Sequence, residues 1–255
     1  MKNSKILVYD GSFNGFLTAI FVGFEEQLNV ADIRKNGRTQ NGLFSEIQTV
    51  FTQMDKAKRV WKGIQNKSNN AIKQLYFAYL SESEGIEFLL YKYIQGLFSS
   101  EAELLEAPSE SYKIEHLAAM VAKEKNRIEA SLNFEYTGDG IYFANLAPDH
   151  NILPLISKYF RSRYADNPWI IYDIKRKYGI YYNGKGVEMV TLDLKEMHSL
   201  NAINPNLSRG ETMDYDKIRN DYFKRADITS LINRKLFKQP PAKRYRSYLQ
   251  EKHAV

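Results

Sequence analysis

Apolar positions along this chain fall into stripes at helical spacing, separated by short alternating or continuous runs. The clearest case is Ile152 to Leu192. Ile152, Leu155, Ile156, Tyr159 and Phe160 recur at i, i+3, i+4, i+7 and i+8, one face of an amphipathic helix over Ile152–Arg163. Asn151 is placed as its N-cap, and Pro154 is tolerated in the first turn because that N–H has no helical partner. After Pro168, Trp169 to Tyr172 reads as a buried strand. Asn183-Gly184 has the chemistry of a two-residue hairpin turn, which would pair Tyr182 with Lys185, Ile180 with Val187 and Tyr178 with Met189. One face of that hairpin is then almost wholly apolar.

The same reading extends toward both ends. Lys5 to Asp10 is a strand, Gly11-Ser12 a turn with Ser12 as N-cap, and Phe13, Phe16, Leu17, Ile20, Phe21, Phe24 and Leu28 mark a helix. Helix N-termini after such turns can bind anions. No Walker loop and no dinucleotide glycine fingerprint is present, so Gly11 and Gly15 are assigned structural roles. Residues 30–43 read as an exposed loop and Glu46 to Phe51 as a strand. Asp55 is expected to cap a helix through Trp61 to about Asn66, and Ser68 to start the next, with Ile72, Leu75, Tyr76, Tyr79 and Leu80. Ile86 to Phe98 is apolar nearly all round and reads as a central helix. A further helix follows from Tyr112 to Ile128, then strands Ser131–Tyr136 and Ile141–Leu146. Helices are expected near 215–225, 228–236 and 242–252. The pattern predicts an α+β fold, with mixed α/β as the variant: an antiparallel-rich sheet with packed helices, and helical middle and C-terminal segments. The chain reads as a single unit with sub-regions 1–108, 109–200 and 201–255.

Composition narrows the chemistry. The 255 residues contain no cysteine, which removes disulfides, thiol nucleophiles, iron–sulfur ligation and cysteine zinc sites together. No apolar run is long enough for a membrane helix and no secretory leader is seen, so a cytoplasmic protein is expected. None of the four histidines has metal-ligand spacing, and no Gly-x-Ser-x-Gly elbow is present. No metal and no cofactor is predicted. Asp149 and His150 are assigned capping or surface roles, and Trp61 helix packing. Asp10, Asp166 and Asp173 stand near strand ends, where catalytic carboxylates are often placed.

Charge is more informative. The net charge is +6, unevenly spread. Between Ile152 and Leu192, seven Lys/Arg face only Asp166, Asp173 and Glu188, and residues 217–252 hold eleven Lys/Arg against three acids. Glu82 to Glu110 is acidic instead, with seven Glu against Lys92. Such asymmetry fits an electrostatic footprint for a polyanion, and a solvated basic face is the plain alternative. In Lys243-Arg244-Tyr245-Arg246-Ser247-Tyr248, the tyrosines are expected to face the protein and the cations to be exposed, where they can neutralise phosphates. The residues assigned to phosphate contact are Arg161, Arg163, Lys175, Arg176, Lys177, Arg234, Lys243, Arg244 and Arg246.

Several blocks together carry a family resemblance. Val8-Tyr9-Asp10-Gly11-Ser12-Phe13 with Gly15 to Phe21, Lys56 to Trp61, Phe77 to Glu82, the run from Tyr142 through Pro148, Pro154 and Phe160 to Asp173, and Asn233-Arg234-Lys235 with Arg244-Tyr245 resemble a bacterial family linked by name to DNA metabolism and DNA repair. The resemblance covers nearly the whole chain. It implies an accessory role in DNA repair or DNA metabolism, DNA as a partner, and work alongside a radical-SAM DNA-repair-like protein. Some members are fused to a uracil-DNA glycosylase-like domain, and this chain resembles the stand-alone form. The family supplies no catalytic residues to carry over. Its usual His and Arg after the fourth helix are Asn126 and Asn133 here, which puts any chemistry done by that pair in doubt for this member. Two alternatives stay open: an enzyme acting on nucleotides or DNA bases through a carboxylate such as Asp10 or Asp173, and a protein-interaction module that docks through Glu82 to Glu110 without DNA affinity.

Overall fold

The structure, a computed structural model, describes residues 4–37, 46–98, 108–136 and 140–191. It divides into two compact units. Unit 1 runs to Glu124 and takes in Asp149–Asn151; unit 2 comprises Lys125–Pro148 and the chain from Ile152 on. The expected helices beyond residue 200, with Arg234, Lys243, Arg244 and Arg246, lie outside the described residues.

Unit 1 is built from β1 (Lys5–Tyr9), α1 (Phe13–Glu25), β2 (Val30–Lys35), β3 (Glu46–Thr49), α2 (Met54–Lys67), α3 (Asn69–Leu80), α4 (Ile86–Phe98) and the first turns of α5 (Pro108–Ser131). Its sheet has the order β2-β1-β3, and both flanking strands run parallel to β1. Ile6, Leu7, Val8 and Tyr9 are all buried, as a central parallel strand covered on both faces requires. β2 corrects the reading of residues 30–43 as loop. It is an edge strand that buries only Ile33, and Asp32 spends its carboxylate on the Ile33 N–H and the Arg34 side chain. Backbone pairing to β1 makes it a strand; side-chain alternation does not.

Ser12 caps α1 as expected, its Oγ accepting the Gly15 N–H at 2.9 Å. Asp55 does not cap α2; it lies in the first turn behind Gln53. Ser68 ends α2 and caps α3, accepting the Ala71 N–H at 3.2 Å, so the two helices are joined by a single residue. Phe13 gathers the helices, with Trp61, Tyr76 and Tyr79 edge-on to its ring at 5.0–6.0 Å. These edge-to-face contacts add to apolar burial.

Unit 2 contains the last turns of α5, then β4 (Glu135–Tyr136), β5 (Tyr142–Leu146), α6 (Leu153–Arg163), β6 (Trp169–Asp173), β7 (Tyr178–Tyr182) and β8 (Val187–Val190), in a sheet of order β4-β5-β6-β7-β8. β5 and β6 are parallel, joined by the α6 crossover, and the other pairs are antiparallel. Together the units form a mixed α+β fold. α5 extends through Ser131, so the strand expected from that residue shrinks to Glu135–Tyr136.

The β7–β8 register also differs from expectation. Tyr182 pairs with Val187 and Ile180 with Met189, two residues beyond the two-residue turn. Asn183 accounts for this: its Oδ1 accepts the N–H groups of both Lys185 and Gly186 at 2.9 Å, closing a four-residue connection with Gly184 at φ +85. A shift of two preserves which side chains share a face. Asn151 does not cap α6. Ile152 occupies that position without a side-chain bond, while the Asn151 N–H goes to the Leu80 carbonyl. Fully buried Trp169 packs against Phe160 and Tyr182 at the centre of the unit.

Candidate functional site

Asp10, Asp166 and Asp173 are the candidate carboxylates near strand ends. Asp173 ends β6 and is completely buried. Its Oδ1 accepts the N–H groups of Lys175 (2.9 Å) and Arg176 (3.1 Å), and its Oδ2 takes an Arg176 guanidinium nitrogen at 3.0 Å. Arg176 also donates to the Pro148 carbonyl at 3.1 Å. A buried carboxylate with this set of donors closes the β6–β7 turn and ties it to the loop after β5. Asp166 is exposed in the loop before β6.

Asp10 lies just past β1, at the point where β2 and β3 diverge to either side. Crevices of this kind, outside the carboxyl ends of parallel strands, are where open α/β sheets hold ligands. Its Oδ1 accepts the Ser12 N–H (3.0 Å) and the Ser12 hydroxyl (2.6 Å), and its Oδ2 accepts the Thr52 hydroxyl at 2.9 Å. A Cβ on Gly15 would stand 2.3 Å from Asp10 Oδ1 and 2.8 Å from Thr52 Oγ1. The carboxylate therefore occupies the start of α1, where an external anion would otherwise sit. Gly11, at φ +78, and Gly15 have the structural roles expected of them.

Beside Asp10 is a network that the sequence did not reveal. Tyr79 donates to the Gly11 carbonyl at 2.7 Å and brings its oxygen within 3.1 Å of the Tyr9 oxygen, and Tyr9 donates to Glu87 at 3.1 Å. Lys35, at the end of β2, stands 3.8 Å from both Glu82 and Glu87 and 5.2 Å from the Tyr79 ring centre. Asn151 donates to Glu82, and the Asp149 and His150 N–H groups donate to the buried Glu124 carboxylate at 2.9 Å each. These residues come from five separate stretches of chain, and no local spacing connects them. Among the described residues, no group of three or more His, Asp or Glu is arranged to hold a metal ion.

The cations assigned to phosphate contact fall at two places in unit 2. Arg161 and Arg163 lie in the last turn of α6, where they also complement the helix dipole; the Arg163 guanidinium lies 6.0 Å from the Tyr164 ring centre, and Arg163 and Tyr164 are exposed while Arg161 is half-buried. Lys175 and Lys177 are exposed on the β6–β7 turn. β6 pairs Trp169 with Tyr182 and Asp173 with Tyr178, so this turn lies at the opposite end of the strand from the α6 terminus. The strand alone separates them by about 13 Å, four steps at roughly 3.3 Å each. Arg176 is engaged inward by Asp173. Helix α2 shows a further set of exposed cations, Lys58, Arg59, Lys62 and Lys67, which sequence reasoning passed over because it weighed only the longer basic segments.

A sequence profile for a domain of unknown function, DUF4130, matches residues 84–251. No curated protein matches the chain. No described helix is long and apolar enough to cross a membrane.

Proposed function

This chain belongs to the DUF4130 family, described only as a domain of unknown function, and we propose that it is an accessory protein of DNA repair or DNA metabolism that binds nucleic acid through exposed cations. The observation that carries this reading is the placement of Arg161 and Arg163, with the neighbouring Tyr164 ring, at one end of β6 and of Lys175 and Lys177 at the other. Cations at the two ends of one strand, itself about 13 Å long, suit non-adjacent phosphates of a single backbone. Arg234, Lys243, Arg244 and Arg246 extend the set in sequence. The resemblance of the ordered blocks from Val8 to Tyr245 supplies the DNA context and a radical-SAM or uracil-DNA glycosylase-like protein as partner.

The test is fluorescence anisotropy of labelled single-stranded and duplex DNA with the full chain. Reversing Arg161, Arg163, Lys175 and Lys177 to Glu is expected to weaken binding roughly equally across sequences and to flatten its salt dependence. Unchanged affinity and slope would contradict the proposal.

A second reading is favoured by one observation: Asp10 is exposed at the divergence point of a parallel sheet, flanked by two hydroxyls. It would make the protein an enzyme acting on nucleotides or DNA bases through that carboxylate. Asp173, sealed by Arg176, is no part of this reading. In the interaction-module alternative, Glu82 and Glu87 would be less available than Glu84, since both face Lys35.

A further inference from the structure

The α2–α3 hairpin carries a charge distribution that the proposed function leaves unused. From Lys56 to Ser81 the chain has six Lys/Arg and no Asp or Glu. The apolar residues of α2 explain which way these cations point. Ala57, Val60 and Ile64 are buried, so Lys58, Arg59 and Lys62 lie on the outward face, while Lys67 is exposed at the last residue of the helix. Lys58 and Lys62, four residues apart, stand one above the other, and Arg59 is held beside them with its guanidinium 5.0 Å from the Phe21 ring centre. One acid shares this face: Asp55, exposed in the first turn of α2, three residues before Lys58 and four before Arg59; against Lys58, Arg59 and Lys62 it leaves the cluster positive. Glu25 on α1 is spent on Lys56 at 2.9 Å, α3 contributes no acid, and Glu87 on α4 faces Lys35 and Tyr9. Among the described residues, none of Lys58, Arg59, Lys62 and Lys67 has a carboxylate partner.

We propose that the outward face of α2 is a contact surface for the phosphodiester backbone of a nucleic acid. The inference rests on the nucleic-acid reading above and assigns it a second surface, in unit 1. Two observations favour a polyphosphate over a folded acidic protein. The face exposes no large apolar side chain, whereas protein interfaces are anchored by buried aromatic and aliphatic groups. Beyond Asp55 in the first turn, its remaining exposed residues, Gln65 and Asn66, are amides that suit phosphate and sugar oxygens. Binding here is independent of sequence and strongly salt-dependent, because each neutralised phosphate releases counterions.

The experiment compares full-length variants for DNA affinity across a salt series, with circular dichroism confirming the fold. K58E/K62E should lose at least tenfold in affinity and reduce the log–log salt slope by about two, while K58R/K62R retains both. K113E/K123E, a matched reversal on exposed α5 positions, should change little. Wild-type affinity and slope in K58E/K62E, together with a loss in K175E/K177E, would overturn the α2 surface and leave the nucleic-acid reading standing. Equal losses in K58E/K62E and K113E/K123E would overturn it as an effect of net charge alone. Absence of DNA binding by the wild type, with polyglutamate bound through Lys58 and Lys62, would overturn both and assign the surface to an acidic protein.

Discussion

Arg176 places one guanidinium nitrogen 3.0 Å from the Asp173 carboxylate and 3.1 Å from the Pro148 carbonyl, and Asp173 has no solvent exposure. The pair is the lock of unit 2: it joins the β6–β7 turn to the loop after β5. Removing the cation strands a buried carboxylate. Arg176→Ala is therefore expected to destabilise the protein by about 3 kcal/mol in urea unfolding, against less than ~0.5 kcal/mol for Lys175→Ala on the exposed side of the same turn. Equal effects of the two substitutions would mean the pair is not structural.

Gly15 is confined by the Asp10 and Thr52 side chains. Gly15→Ala forces one of them away from its hydrogen bonds, which is expected to cost about 1–3 kcal/mol even though alanine is the better helix former. Thermal unfolding of Gly15→Ala and of Gly96→Ala, where a Cβ meets nothing within 4 Å, separates the two cases. The second should be neutral or stabilising.

Burial pushes the Tyr91 phenol above its ordinary value of 10.0, and burial together with the nearby Glu115 carboxylate does the same for Tyr93. Both phenols are neutral in folded and unfolded chains below about pH 10. Above it the unfolded chain gives up its protons first. Stability should therefore hold below that pH and fall as pH rises toward the folded-state values. Tyr91→Phe and Tyr93→Phe should each flatten this alkaline decline in urea titrations between roughly pH 9 and 11. A decline as steep as wild type in the double variant would exclude these phenols as its source.

The elements with strong apolar periodicity were legible in the sequence. α1 with its Ser12 cap, the Ser68 junction, α4 and β6 all follow from side-chain pattern and capping chemistry. β2 was not legible, because a polar edge strand is defined by its backbone partner, and Lys5 to Tyr9 lie far from it in sequence. The hairpin register turned on one side chain, Asn183, bonding to two N–H groups, which dipeptide preference does not encode. Of the cations named from sequence, Arg163, Lys175 and Lys177 are exposed while Arg176 turns inward, and the exposed α2 set was passed over. The Tyr9–Tyr79–Glu87–Lys35 network could not be read from sequence, since it depends on which elements the fold brings together; Arg176 and Asp173 are three residues apart, but that spacing does not tell that the carboxylate is buried.

The central claim is that this protein holds nucleic acid through phosphate contacts, and its most direct measurement is wild-type DNA affinity at about 50 and 200 mM salt. The account predicts a loss of roughly 10²-fold or more over that range, for sequences of unrelated composition alike, corresponding to at least four phosphate contacts. Undetectable binding at the lower salt, or an affinity that does not change between the two, would contradict it.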